Sequence, residues 1–323
     1  MPHALRVQAY GQSPELIELE RPTLAMGEVR VRIRACGLNF ADLLMIEGRY
    51  QDTPQAPFTP GLELAGEVIE LGEGCGDLAI GQRVAIFSGQ GGLAEEGVFD
   101  AAACLPLPDT MPDDHAAGFQ IAYGTSHLAL TRRARLQRGE RLLVLGAAGG
   151  VGLTAVEIGK ALGAHVTAVA RGSEKCAVAQ KAGADLVLDS DSGIDALIQQ
   201  IKDAGGADVI YDPVGGDLFQ VAVKTANREG RILAIGFASG EVPPVAANHF
   251  LVKNIDLIGF YWGGYMKFAP EALRGSIAEL MTLYEQGKIH PHISHVLPLD
   301  RAGEGLELLR ARRSTGKVVI KIG

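Results

Sequence analysis

The chain is poor in cysteine, and none of its four thiols, Cys36, Cys75, Cys104 and Cys176, forms a Cys-x-x-Cys pair. That spacing points to reduced, partly buried thiols. No apolar run reaches the length of a membrane span, and Met1–Tyr10 lacks the apolar stretch of a signal peptide. No membrane partner is therefore expected, and the expected compartment is the cytoplasm. Basic residues are outnumbered, 30 Lys+Arg against 38 Asp+Glu for a formal charge of -8. Without a basic stripe to track a phosphate backbone, nucleic acid is excluded as the main partner. No tandem repeat accounts for the 42 glycines; they fall at turns and close backbone approaches, as in α/β and barrel folds. No Ser-His-Asp arrangement follows from spacing, so hydrolysis has no support, and His249, His290, His292 and His295 read as structural or surface groups. What remains is an ordinary globular composition, 47% hydrophobic and 21% charged over 323 residues, long enough for two domains.

Two textures divide the chain. The first hundred residues read as short strands: Gly27–Ala35 alternates apolar and charged residues with period two, and Gly66–Gly72 and Gln82–Phe87 follow. Strands without helical crossovers suggest an antiparallel, barrel-like domain. Near residue 120 the pattern changes. Arg141–Leu145 is a continuous apolar run, the mark of a strand buried on both faces. A helix is predicted over Val151–Leu162, then a strand at His165–Val169 and a helix over Ser173–Lys181, with Ser173 as its cap. Strands at 186–188, 208–211, 231–235 and 255–259 alternate with helices at 194–202 and 218–225. Roughly six strands alternating with helices is the count of a full dinucleotide-binding domain. The tail holds a helix near 270–286 and two short strands, 294–297 and 317–320.

Leu145-Gly146-Ala147-Ala148-Gly149-Gly150-Val151-Gly152 joins the first buried strand to its helix. Glycine is needed where backbone approaches a pyrophosphate and again where helix and strand pack closely, and Gly149 and Gly152 fit those places. The helix N-terminus offers free N–H groups and a positive dipole end to phosphates. Ala147 departs from the usual glycine spacing. The second strand runs out at Ala170-Arg171-Gly172-Ser173-Glu174-Lys175, where an NAD-specific chain usually has an acid for the ribose 2′-hydroxyl. Here Arg171, Ser173 and Lys175 suit a 2′-phosphate instead, against the plainer reading of solvated cations.

Taken together, Cys36-Gly37-Leu38-Asn39-Phe40-Ala41-Asp42, Pro60–Gly66, Ala147–Gly152, Asp212–Gly216 and Ser314–Val318 resemble the quinone oxidoreductase, zeta-crystallin-like branch of the zinc-independent medium-chain dehydrogenase/reductase superfamily, over essentially the whole chain. The resemblance implies an α/β fold: a doubly wound Rossmann parallel sheet, 122–263, inserted into a GroES-like β-barrel catalytic domain, 1–121 completed by 264–323. It implies NADP(H) held at Ala148, Gly149, Gly150, Val151 and Gly152, with the nicotinamide in a cleft, and a homodimer through the Rossmann sheet edge at Ile255–Phe260.

Zinc-dependent relatives carry Cys where this chain has Asn39 and His where it has Leu62, and catalytic zinc needs three protein ligands; Ser88–Ala103 also lacks the cysteine run of a structural zinc. No metal is expected. By resemblance, Asn39 lies at the nicotinamide and Tyr50 at the substrate mouth, as proton donor or aromatic wall; Leu44 stands where some relatives have a further Tyr. Thr125 resembles a cofactor contact, with a helix cap as the alternative. Phe237 resembles a flank of the nicotinamide, Arg313 a residue near the adenosine phosphate, and Tyr261 and Trp262 line the cleft or the subunit contact. Without a Lewis acid, hydride donation from NADPH to an electron-poor acceptor is the easier chemistry. The implied activity is reduction of quinones, an electrophilic small-molecule substrate. The alternatives are an enone, alkenal or enoyl-CoA reductase and, in another class, an NADPH-binding crystallin-like structural protein or sensor.

Overall fold

The chain opens with a hairpin of β1 (His3–Arg6) and β2 (Glu15–Glu18). The alternating run that follows forms β3 (Glu28–Leu38), which extends beyond the alternation because Ala35–Leu38 is buried throughout. After α1 (Phe40–Ile46) come β4 (Glu63–Leu71), β5 (Arg83–Phe87), β6 (Glu96–Asp100), β7 (Cys104–Pro106) and α2 (Asp113–Ala117). A Cβ on Gly37 would sit 2.2 Å from the Ala117 carbonyl oxygen, so this glycine lets α2 lie directly on β3.

The sequence then changes period. From α3 (Gln120–Leu128) it alternates β8 (Arg141–Leu145), α4 (Gly150–Ala161), β9 (His165–Ala170), α5 (Gly172–Lys181), β10 (Leu186–Asp189), α6 (Ile194–Asp203), β11 (Ala207–Asp212), α7 (Asp217–Thr225), β12 (Ala226–Ala234), α8 (Ala247–Lys253) and β13 (Asp256–Gly259). These strands form one sheet in the order β10-β9-β8-β11-β12-β13, every neighbouring pair parallel. Helices α9 (Tyr265–Phe268) and α10 (Pro270–Glu285) follow. The chain returns as β14 (Ile293–Pro298), α11 (Ala302–Arg310) and β15 (Lys317–Lys321).

In this computed structural model all residues, Met1–Gly323, are described, and they divide into two units, Met1–Ile121 with Pro291–Gly323, and Ala122–His290. The expected return at 264 therefore comes later. Leu273, Ser276, Ile277 and Leu280 of α10 are buried, and Ser276 hydrogen-bonds His127 of α3 at 2.9 Å, which holds α10 in the second unit.

In the first unit the sheet runs β14-β15-β3-β4-β5-β7, with β6 also on β3; all pairs are antiparallel except β14 with β15. Its interior is filled by Val31, Ile33, Leu64, Val84, Ile86, Phe58, Leu93, Val318 and Ile320. Each such side chain contributes about 1.5–3 kcal/mol on burial, so this barrel needs residues from both ends of the chain. No helix is long and apolar enough to cross a membrane.

Candidate active site

In the second unit β8 lies between β9 and β11, the place where strand order reverses. Ligands of open α/β sheets bind outside the carboxyl ends of the strands at that place. Gly146 leaves β8 with φ +60°, and its missing Cβ would lie 2.7 Å from Val214 Cγ2. Ala147 N–H donates to Val169 O at 2.9 Å, fixing the turn to β9. Gly149 is the N-cap of α4 and supplies no side-chain cap. The N–H groups of Gly150, Val151 and Gly152 thus open the helix without an intrahelical acceptor. A Cβ on Gly152 would lie 2.2 Å from the Gly146 carbonyl oxygen, so helix and turn touch backbone to backbone there. Beneath the turn, the Ser126 hydroxyl lies 2.8 Å from Thr154 Oγ1 and 2.9 Å from the Tyr211 hydroxyl, and Thr154 donates to Ala122 O at 3.0 Å. This buried network ties α3, α4 and β11 together, and nothing in the spacing of those residues announces it.

At the end of β9, Arg171 is the N-cap of α5, which begins at Gly172; Ser173, expected as the cap, lies inside the first turn. Ser173 is exposed and Lys175 half-buried. Arg171 Nε is 3.6 Å from Asp191 Oδ1 with both side chains largely in solvent. Asp189 Oδ1 accepts from Gly172 N and Asp191 N at 2.9 and 3.0 Å. The third strand's loop thereby steadies the second.

The next loops gather at the same sheet edge. Buried Asp212 accepts from Val214 N and Gly215 N at 2.8 and 2.9 Å, and burial raises its carboxyl pKa. Phe237, 41% exposed, packs against Gly215, where a Cβ would lie 2.8 Å from the ring. Thr125 sits within α3, buried, and is not a helix cap. Trp262 is 5% exposed and its indole packs against Gly124, where a Cβ would meet Nε1 at 2.5 Å. Tyr261 remains 37% exposed.

Glu157 of α4 is a half-buried acid on the same helix as the glycine turn. The Tyr123 hydroxyl donates to it at 2.5 Å and His290 N–H at 3.0 Å. Burial pushes its pKa from 4.5 up to about 7, with those two donors pulling the other way. Between those values the folded chain holds a proton that the unfolded chain has released, so stability falls as pH rises through the window and levels off above it. Glu157→Gln keeps both bonding partners and removes the titration. Its melting temperature relative to wild type should be more favourable at about pH 8 than at about pH 5. A difference that does not change with pH, measured by calorimetry, would contradict this.

The first unit carries its own polar cluster. Lys317, at the start of β15, is 5% exposed, and its ammonium donates to Leu38 O at 2.9 Å, Asn39 Oδ1 at 2.8 Å and Glu63 Oε1 at 2.8 Å. Asn39 Nδ2 donates to Gly37 O at 3.1 Å and Glu63 Oε1 at 3.0 Å. The second oxygen of Glu63 accepts Ile121 N–H at 3.0 Å. At the start of α1 the Asn39 side chain makes no cap hydrogen bond, and Asp42 N–H donates to the Asn39 backbone carbonyl at 3.0 Å; Asp42 accepts from Asn39 N and Gly61 N at 2.8 and 2.9 Å, and burial raises its pKa from 3.8 to about 7. Leu62 is buried in the barrel core. Tyr50 packs at the edge of that core, and Arg313 is exposed in the turn after α11. Sequence reasoning reached Asn39 but gave Glu63 no role. It missed Lys317, although a lysine opening the apolar run Val318–Ile320 was the available signal.

A reversing parallel sheet with a glycine turn at its switch point, in one chain with a barrel-like unit, defines a two-domain nucleotide-dependent oxidoreductase. Residues 150–280 match the family described as zinc-binding dehydrogenase, and residues 25–109 the alcohol dehydrogenase GroES-like domain. The chain is 40% identical over 301 residues to the quinone oxidoreductase-like protein 2 homolog of Nematostella vectensis, covering 92% of this chain and 82% of that relative. Among solved structures it is similar to the quinone oxidoreductase of Thermus thermophilus, described with its NADPH complex (TM-score 0.87, 30% identity, 99% and 100% of the two chains). It is also similar to the Escherichia coli quinone oxidoreductase complexed with NADPH (TM-score 0.90, 27% identity, 99% of each chain). The chain belongs to the quinone oxidoreductase branch of the medium-chain dehydrogenase/reductase superfamily.

Proposed function

We propose that the chain is an NADPH-dependent reductase that delivers hydride to quinones without zinc. The observation that carries the metal-free reading is the Lys317 ammonium, 2.8 Å from both Asn39 and Glu63. A cation already occupies the acceptor atoms of the one cluster that includes a position where zinc relatives have a ligand. The glycine turn fits a pyrophosphate: the N–H groups of Gly150, Val151 and Gly152 supply donors, and Gly149 leaves the approach open. Ala148 is buried within the same turn. Arg171, Ser173 and Lys175 supply donors for a 2′-phosphate, and β9 itself ends without the acid that would claim a 2′-hydroxyl, although Asp189 and Asp191 of the neighbouring loop lie beside Gly172 and Arg171. Phe237 at the same sheet edge suits the nicotinamide flank, and the two solved relatives named with NADPH support the same cofactor. Thr125 and Arg313 are assigned to cofactor contact on resemblance alone.

Bound NADPH supplies hydride, which with one proton converts a quinone to the hydroquinone and leaves NADP⁺. The protein's part is to hold the donor ring and exclude water, with Asn39 at the reacting end and Tyr50 as an aromatic wall of the acceptor pocket. A homodimer through the free edge of β13 fits the exposed Leu251, Val252, Leu257 and Phe268 around it.

The test is NADPH oxidation by zinc-stripped protein against ortho- and para-quinones, alkenals and enoyl-CoA esters. Quinone turnover that survives chelation is expected. Turnover confined to alkenals or enoyl-CoA would move the substrate class, zinc-dependent turnover would overturn the metal-free reading, and NADPH binding with no acceptor at all would favour a non-catalytic role.

A further inference from the structure

The cluster at Lys317 determines what Asn39 can offer a ligand. An asparagine amide has two donor hydrogens and two acceptor lone pairs. Both hydrogens of Asn39 are spent inside the protein, on Gly37 O and Glu63 Oε1. One lone pair of Oδ1 is taken by Lys317. Turning the amide over would set its NH₂ against the lysine ammonium and its oxygen against a carboxylate and a carbonyl, replacing three attractive contacts by three repulsive ones. The choice between oxygen and nitrogen is therefore fixed by the network. The ammonium has three hydrogens and three acceptors, so it has nothing left to turn outward. Lys317, Glu63 and Asp42 are buried, and Asn39 is the half-exposed member through which the cluster meets a ligand.

We propose that Lys317 is a positioning residue, which fixes the Asn39 side chain so that it presents an acceptor oxygen and no donor hydrogen. The proposal rests on the reading of Asn39 as the residue at the reacting end. It changes what that residue does there. Asn39 cannot hydrogen-bond a quinone or enone oxygen, which is itself an acceptor, and cannot supply its proton. Its partner is a donor: the carboxamide N–H or ribose hydroxyl of the nicotinamide half, or a water. The proton that completes reduction reaches the acceptor by another route.

Lys317→Met alone would strand the buried Glu63 charge and destabilise the fold. The working variant is therefore Lys317→Met with Glu63→Gln, which removes both charges, checked for folding by melting temperature and circular dichroism. The first readout needs no substrate. The Asn39 side-chain NH₂ resonance, identified by its loss in Asn39→Ala, should exchange with solvent about tenfold more slowly in wild type than in the double variant, because without the ammonium on Oδ1 the amide is free to turn over and expose an N–H. The second is kinetic. The double variant should lose about tenfold in kcat/KM for NADPH, and adding Asn39→Ala should cost nothing more, because residues acting as one unit are not additive. Unchanged NH₂ exchange in a folded double variant, or losses that multiply in the triple variant, would overturn the proposal. If wild type turns over no acceptor, the reductase reading fails by itself. The exchange rates, and the same non-additivity read in NADPH dissociation constants, still decide the role of Lys317.

Discussion

Gly152→Ala is expected to raise the NADPH dissociation constant by about a hundredfold and to lower the melting temperature by several degrees, a loss of roughly 2–4 kcal/mol. The added carbon would lie 2.2 Å from Gly146 O and 2.9 Å from Ala147 Cα. Both obstacles are backbone, so no side chain can swing aside. The start of α4 must move off the turn, taking the Val151 and Gly152 N–H groups with it. Gly149→Ala is the internal control. Its Cβ would meet Gly146 O at 3.4 Å, ordinary contact, and the position is exposed. That variant should keep its melting temperature and weaken only the nucleotide. Titration calorimetry and thermal melts separate the two effects. A Gly152→Ala protein that binds NADPH as wild type does would remove the turn from the cofactor site.

Arg171→Ala with Lys175→Ala should weaken NADPH by about tenfold or more while changing NADH by less than about twofold. Arg171 is largely solvated and already faces Asp191 at 3.6 Å, so its contribution is screened and partly diverted. The preference for NADPH should therefore shrink as salt is added, and the double variant should show little salt dependence. Fluorescence titration of both cofactors at two ionic strengths measures this. Equal losses for the two cofactors would show that these cations do not read the 2′-phosphate.

The alternating sheet was legible where its strands are buried on both faces, as β8 and β11 are in its middle. Arg141–Leu145 reads as a strand from its continuous apolar run and His165–Val169 as the next, and the structure has β8 and β9 there. Elements with weak burial were not. Helix α8 has no buried residue to set a period, and α11 hides its buried face behind Gly305 and Ala302, where small residues carry no strong hydrophobic signal. Placing α10 needed contacts that a single sequence does not carry, such as Ser276 with His127. The glycine turn was visible because close backbone approach leaves a local mark. The Lys317 cluster was not, because Lys317 and Glu63 stand 254 residues apart and only tertiary pairing of β15 with β3 and of β3 with β4 brings them together.

That separation also sets an order of events during synthesis. Residues 28–106 supply most strands of the first unit, yet β3 waits for β15 to cover its edge at Val318–Lys321. The whole second unit must be made in between. Until residue 317 has emerged, the Glu63 carboxylate has no counter-ion and the nascent barrel stays open along one strand. Closure over so long a stretch of chain is intrinsically slow. A polypeptide cut short before β15 would lack both the strand that covers β3 and the ammonium that pairs with Glu63, and so would lose the stability these supply.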